Sequence, residues 1–484
     1  MFEGATVGYR HLWDRIGSVA RGLSELGAGA GDRVAYCGLN RLELFETLFA
    51  CARIGAIFCP LNNRLTPPEL AFQLSDSQPS ALLTCDGFDA ALAEAAAAAG
   101  TTAPLRDLDI EPFADDATRA TGPGLLLDDP ARLPATNEPV LMVYTSGTTG
   151  RPRGAVLTQR SLLYTCLNSI DHQQLTGDDC IIAPLPTFHV GGLNIQTLPT
   201  LLVGGRVLLQ RRFDPGGVLD LLAEHRPTQT LLVPAMLQAV SSHPRFGDAD
   251  LSSLVGINTG SSVVPKSVMR PYFDRGVPVG QVYGTTETGP TAVVLRYDEA
   301  ADHIGSCGRP ALHTELRLVD EGGSEVGPGE PGELWVRGPH LFSHYWYNPE
   351  ATDAAFVDGW YRTGDVGHRD HDGYVYIADR LTDVVITGGE NVYPAEVEAV
   401  LSEHPAIAEV AVIGRPDSRW GEMPVAVAVL HPDDELDLSA LRAWCDPRLA
   451  RFKQPRDLVM VTELPRTALG KVRKHVLRDL LGSS

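Results

Sequence analysis

The sequence predicts an α/β protein in two parts. A large, multi-sheet N-terminal domain over 1–380 holds layered α/β subdomains and a β-rich subdomain, and a small α+β domain covers 381–484. Three observations predict this. Helical and strand-like hydrophobic periods alternate from residue 8 to about 295. Short strand-like runs between Gly/Pro turns take over from about 304 to 380. A fresh mixture of helices and strands then begins after Asp379-Arg380. Strands alternating with helices argue for parallel βαβ units in layered sheets. A tail of about 100 residues is long enough for a small domain of its own.

Leu12, Ile16, Val19, Leu23 and Leu26 recur at helical spacing and make the first helix. Residues 33–37 follow as a strand, 42–54 as a helix and 56–59 as a short strand. Further strands are expected at 80–84, 140–144, 180–183, 206–209, 228–233, 254–259 and 279–282. Residues 100–138 show little period of either kind; with the alanine-rich approach at 91–99 they form a long connection with short strands at most. In the β-rich part, strands at 315–319 and 333–337 lie between Gly327-Pro328-Gly329 and Pro331-Gly332 turns. The last part runs helix 395–402, strands 408–413 and 425–430, helix 438–445, strand 458–461 and helix 472–481.

Forty basic residues against 61 acidic ones leave a net charge of −21. Such a surface repels phosphate backbones and anionic lipid heads, which argues against nucleic acid or membrane charge as the main partner. The eight cysteines form no CxxC pair, so reduced, scattered thiols are expected rather than a disulfide or zinc framework. No apolar run is long enough to span a membrane and the Met1 end lacks a leader pattern, so a cytoplasmic protein is expected. Only Lys266, Lys453, Lys471 and Lys474 are lysines; the other basic residues are arginines.

The most specific segment is Tyr144-Thr145-Ser146-Gly147-Thr148-Thr149-Gly150-Arg151-Pro152-Arg153-Gly154. It leaves one expected strand, sets hydroxyl residues among glycines, and ends in two arginines before another strand. Glycine lets backbone N–H groups converge and hydroxyls add donors, so an anionic phosphate is the natural occupant. No Gly-Lys-Ser/Thr follows and no helix opens at once, which excludes a Walker loop. A plain polar hairpin turn is the alternative.

This string resembles the signature loop of the adenylate-forming superfamily, which includes acyl-CoA synthetases, luciferases and peptide-synthetase adenylation domains. Other segments resemble that family in order along the chain. They are Pro186-Thr187-Phe188-His189-Val190-Gly191-Gly192 beside the acyl pocket, Tyr283-Gly284-Thr285-Thr286-Glu287 at adenine and magnesium, and Trp360-Tyr361-Arg362-Thr363-Gly364-Asp365 at the ribose. Asp379-Arg380-Leu381-Thr382-Asp383 resembles the interdomain hinge, Gly388-Gly389-Glu390-Asn391-Val392-Tyr393-Pro394 the loop after it, and Pro465-Arg466-Thr467-Ala468-Leu469-Gly470-Lys471 the catalytic lysine loop.

The resemblance implies an ATP-dependent carboxylic acid:CoA ligase whose small domain is mobile, with ATP, Mg²⁺ and coenzyme A as cofactors and co-substrate. It implies that Thr145, Ser146, Gly147, Thr148, Thr149, Gly150 and Arg153 meet the nucleotide phosphates. Gly260, Ser261 and Ser262 would run along adenine and acyl group, with Tyr283, Gly284 and Thr285 at the purine. Asp365 suits a ribose diol, Arg380 brings a planar cationic fork, and Gly388, Gly389 and Glu390 follow the hinge. Thr286 offers a hydroxyl to phosphate, and Glu287 is a hard oxygen ligand for Mg²⁺. His189 becomes a pocket wall, although position alone would make it an ordinary satisfied histidine. Lys471 would offset the repulsion between an attacking carboxylate and the α-phosphate in the transition state.

Arg153 stands where most relatives carry lysine, Thr382 where Lys or Asp is usual, and Ser261-Ser262 replaces a Gly-Ala type pair. Phe188, Val190, Leu193, Ile195, Met236 and Val282 suggest an apolar acyl pocket with few charges. The chain looks most like feruloyl/4-coumarate and medium-chain fatty acyl ligases, so an aromatic (cinnamic-type) or medium-chain acid is expected as partner to ATP and CoA, on a monomer or homodimer. Two alternatives are transfer of acyl-AMP to a non-CoA acceptor and a non-catalytic acyl-nucleotide sensor. Gly27-Ala28-Gly29-Ala30-Gly31 ends a helix and so is no dinucleotide fingerprint. His368-Arg369-Asp370-His371-Asp372-Gly373 is expected as a β-turn rather than a metal site.

Overall fold

The computed structural model describes residues 1–113, 136–146, 152–260, 264, 266–380, 383–387, 390–417, 420–467 and 472–482. The first helix, Tyr9–Glu25, buries Ile16, Val19, Ala20 and Leu23 on one stripe, as the helical spacing predicts. The βαβ alternation then builds two seven-stranded sheets. The first has the order His344–Tyr345, Pro152–Thr158, Pro139–Ser146, Ile57–Leu61, Arg33–Cys37, Ala81–Thr84, Leu105–Asp107. The second has the order Arg309–Pro310, Val293–Leu295, Val279–Tyr283, Gly256–Gly260, Gln229–Leu231, Cys180–Ala183, Arg206–Leu209. Their central strands pair in parallel and carry near-continuous apolar runs, as sheets covered on both faces do.

One apolar core unites these layers, with Val34, Phe58 and Leu141 of the first sheet packed in the same cluster as Ile181 and Ala183 of the second. The helix Gln159–Gln173 contributes a polar buried face. His172 Nε2 lies 3.0 Å from Asn258 Oδ1, and Asn258 Nδ2 donates to Gln173 Oε1 at 2.9 Å. Tyr297 donates to Gln229 Oε1 at 2.8 Å in the same group. A buried face satisfied by hydrogen bonds carries no apolar period, so periodicity does not reveal this helix.

The β-rich part forms a third sheet in which Glu315–Val319, Gly332–Arg337 and Trp360–Arg369 pair antiparallel, with Val375–Arg380 also on Trp360–Arg369. The Asp370–Gly373 turn joins the last two strands, in line with the β-turn expected there. The last sheet places Glu390–Val392, Val385–Thr387, Gly421–Leu430 and Ile407–Asp417 in order, with Asp457–Met460 beside Gly421–Leu430. Helices Pro394–Leu401 and Leu438–Cys445 and their sheet enclose Val385, Val397, Leu401, Val412 and Leu441 in a separate apolar cluster. A large multi-sheet α/β N-terminal part and a smaller α+β C-terminal part are therefore the architecture.

The alanine-rich approach is not part of a loop. Asp89–Ala99 is a helix ended by Gly100 at φ +67. Alanine has the highest helix propensity, but only Leu92 and Ala95 are buried, so no apolar stripe announces the helix. The strands Val385–Thr387 and Glu390–Val392 and the helix Pro349–Ala355 were likewise not expected. All eight cysteines are buried and unpaired, as reduced thiols should be. Among the described residues no helix is long and apolar enough to cross a membrane.

Candidate active site

Strand Val279–Tyr283 leaves the second sheet into the turn that carries Gly284, Thr285, Thr286 and Glu287. Two glycines permit the close approaches here. A Cβ on Gly260 would lie 2.4 Å from the Val282 carbonyl oxygen, and one on Gly284 would lie 2.6 Å from the Pro290 carbonyl carbon. Gly284→Ala should therefore displace the turn and lower stability by about 1–3 kcal/mol. Gly247→Ala, in open space, should do neither. Thermal melts compare the two; equal behaviour would refute the packing argument.

Within the turn, Thr285 and Thr288 exchange hydrogen bonds: Thr285 N–H donates to Thr288 Oγ1 at 2.8 Å, and Thr288 N–H donates to Thr285 Oγ1 at 3.3 Å. Thr286 is half-buried, and its hydroxyl makes no hydrogen bond among the described residues. Glu287 is buried to 7 % exposure. Its Oε1 accepts from the Tyr345 hydroxyl at 2.9 Å and the Thr145 hydroxyl at 3.3 Å. Burial first, and then the Glu287 charge, push the Tyr345 phenol up, so it stays a donor at neutral pH.

Thr145 and Arg153 face each other across the hairpin of Pro139–Ser146 and Pro152–Thr158, whose next pair is Ser146 with Pro152. The Arg153 guanidinium lies 5.5 Å from the centre of the Tyr345 ring. The Tyr283 hydroxyl donates to Asp365 Oδ2 at 2.7 Å, and burial together with that carboxylate holds its phenol protonated. Asp365 in turn pairs in register with Arg380 across the third sheet.

His189 caps the short helix Val190–Asn194 without a side-chain cap bond. Its Nε2 is buried with no partner among the described residues, and the ring centre is 4.5 Å from that of Phe188. Burial, reinforced by Arg64, lowers it to about 4, so it is neutral at pH 7. The expected apolar wall divides. Ile195, Met236 and Val282 join Leu185, Leu231, Val233, Val294 and Ala311 in one cluster, whereas Val190 and Leu193 face the core between the large sheets. Successive residues of a short helix point in different directions, so its apolar residues cannot all line one pocket.

Segments 144–154, 283–287 and 360–365 thus converge through Thr145, Arg153, Glu287, Tyr283 and Asp365. Gly147, Thr148, Thr149, Gly150, Ser261, Ser262, Thr382, Gly388, Gly389 and Lys471 lie outside the described residues, and Glu390 stands on a strand paired with Thr387. Tyr345 is the residue that sequence reasoning missed: its strand, His344–Tyr345, is too short to show a period. No group of three or more His, Cys, Asp or Glu side chains suited to a metal occurs among the described residues. Glu287 Oε2 takes no hydrogen bond from them. A single open carboxylate oxygen suits Mg²⁺, which commonly binds one or two carboxylates and completes its shell with water and phosphate.

Residues 1–346 match the family model of AMP-binding enzymes, and residues 396–471 match that of the AMP-binding enzyme C-terminal domain. The chain belongs to the AMP-binding enzymes. It is 44% identical over 487 residues to the indoleacetate–CoA ligase of Aromatoleum aromaticum, covering 99% of this chain and 94% of the relative. It is 42% identical over 480 residues to the feruloyl-CoA synthase of an Amycolatopsis species, covering 99% and 95%. Among solved structures it is similar to the O-succinylbenzoate coenzyme A synthetase MenE of Bacillus subtilis in complex with ATP and magnesium ion. There the TM-score is 0.87 at 31% identity, covering 99% of this chain and 96% of the other.

Proposed function

We propose that the protein is an ATP-dependent aromatic acid:CoA ligase. A carboxylate and ATP yield acyl-AMP and pyrophosphate, and the CoA thiol then displaces AMP. The observation that carries this is the convergence of Thr145, Arg153, Glu287 and the Tyr283–Asp365 pair. A carboxylate is a poor electrophile, and adenylation turns one of its oxygens into a good leaving group. Bound Mg²⁺ would neutralise charge on the polyphosphate.

Residues 144–153, with Thr286, hold the phosphates, and Glu287 supplies the metal's carboxylate. Tyr283 and residues 260–262, 284 and 285 border the purine, and Asp365 takes the ribose diol. The Tyr283 hydroxyl orients that carboxylate through its bond to Oδ2. Arg380, Gly388, Gly389 and Glu390 form the hinge side, and Lys471 comes from the C-terminal lid. The domains divide at 380/381. Neutral His189 borders the acyl group, where a charge would be costly to desolvate. The same reading puts the enzyme in the cytoplasm, as a monomer or homodimer.

The aromatic arm is favoured over medium-chain acids by the two aromatic-acid ligases at 44% and 42% identity. Pyrophosphate release across aryl, cinnamic, indolic and C4–C16 acids tests it. Acyl hydroxamate without CoA and thioester with CoA should both form; hydroxamate alone would favour another acceptor. Neutral-tailed aromatic acids should exceed malonate or succinate by at least about tenfold in kcat/KM, because a second carboxylate stranded among Leu185, Leu231, Val233 and Val282 costs a few kcal/mol. A dicarboxylate as best substrate would sink the apolar-pocket assignment.

A further inference from the structure

We propose that Tyr345 is a positioning residue that ties the Glu287 carboxylate to the Arg153 guanidinium. The inference rests on the metal role proposed above for Glu287. Tyr345 lies in none of the motifs and reaches the site only through strand register.

Three neighbouring strands at one edge of the first sheet supply the pieces. Thr145 pairs with Arg153, Val143 with Ala155, and Ala155 with Tyr345. Side chains alternate faces along a strand, so Arg153 and Ala155 share a face, and their cross-strand partners Thr145 and Tyr345 share it too. That one face brings two hydroxyls to Glu287 and sets the Arg153 guanidinium against the Tyr345 ring. Both hydroxyls donate to the same oxygen, Oε1. The carboxylate cannot rotate about its axis without breaking them, and Oε2 takes no hydrogen bond from the described residues.

The tyrosine is itself held on its other flank. Phe342 lies 4.8 Å from it, centre to centre, and the Phe342 N–H donates to the Glu287 backbone carbonyl at 2.8 Å. Side chain and backbone of Glu287 are therefore fixed by one short stretch, residues 342–345. The same ring faces Arg153 at 5.5 Å. A guanidinium is planar, stacks on aromatic faces and is weakly hydrated, whereas an ammonium is a compact, strongly hydrated point charge. The arginine found here in place of the usual lysine thereby has a physical account. It gains a ring to lie on, and that ring's hydroxyl orients the metal ligand.

Tyr345→Phe keeps the ring and removes only the hydroxyl. Mn²⁺ is the probe, titrated against the full-length protein with ATP and no acid, with free Mn²⁺ read by its paramagnetic resonance signal. The half-saturating Mn²⁺ concentration should rise about tenfold, the lower range for losing an outer partner of a metal ligand. ATP binding in EDTA and the melting temperature should stay at their wild-type values, a pattern that a purely structural role would not give. Arg153→Lys should shift the Mn²⁺ midpoint when made alone and much less when added to Tyr345→Phe, since contacting residues couple. An unchanged midpoint in Tyr345→Phe overturns the proposal, and additive shifts overturn the link to Arg153. Wild-type Mn²⁺ binding by Glu287→Gln would instead remove the metal role of Glu287, and the proposal would fall with it.

Discussion

Lys471→Ala is expected to cut acyl-AMP formation by on the order of 10²–10³, the usual cost of losing one transition-state charge donor. Supplied with preformed acyl-AMP and CoA, the same variant should still make thioester at near the wild-type rate. The asymmetry follows from the proposed two steps. During adenylation two anions meet, the substrate carboxylate and the α-phosphate, and a cation bridging them offsets their repulsion. In the second step a thiol attacks an already activated acyl group, and AMP leaves without that need. Lys471 is one of only four lysines in the chain and follows the segment 379–383 that is proposed as the hinge. Pyrophosphate release measures the first step, and thioester absorbance measures the second. Equal loss in both would assign Lys471 to folding or general binding and would end the alternating-lid mechanism.

Glu287→Gln should lower pyrophosphate release at limiting Mg²⁺ by on the order of 10², since even the outer partners of a metal ligand are worth about 10–100-fold. The fold should survive. The amide oxygen of Gln can still accept from Thr145 and Tyr345, and the backbone carbonyl keeps its bond from Phe342 N–H. What is lost is the negative charge on the open oxygen, which a hard cation needs. Raising Mg²⁺ should restore part of the rate, and the melting temperature should change little. Unchanged pyrophosphate release at limiting Mg²⁺ would refute the metal assignment.

Part of this site is legible in the sequence. Glycine spacing and hydroxyl placement in 144–154 point to a phosphate loop, whereas only the family resemblance, and not a lone carboxylate after two threonines, points Glu287 to a hard cation. The hairpin register then brought Thr145 and Arg153 opposite each other, as a strand–loop–strand segment requires. Other expectations failed for identifiable reasons. Residues 91–99 are helical without an apolar stripe because alanine forms helix on propensity alone. Val190 and Leu193 were assigned to the acyl pocket from their apolar character, yet the short helix that carries them turns them toward the core. Apolar character alone does not distinguish a pocket wall from a core position.

The α/β class, the break in texture near 380, the reduced, scattered thiols and the family motifs with their order are all readable from the chain alone. These are local properties, carried by periodicity, composition and short strings. Only the tertiary fold sets two hydroxyls on one oxygen of Glu287, joins Tyr283 to Asp365 and leaves the neutral His189 ring with its Nε2 unpartnered among the described residues. It also decided that Tyr345 belongs to the site at all. Glu287 and Tyr345 are 58 residues apart, and Thr145 and Glu287 are 142 apart. Contacts of that separation arise from strand order and register across two sheets, and no local pattern encodes which edge of one sheet will face which turn of another.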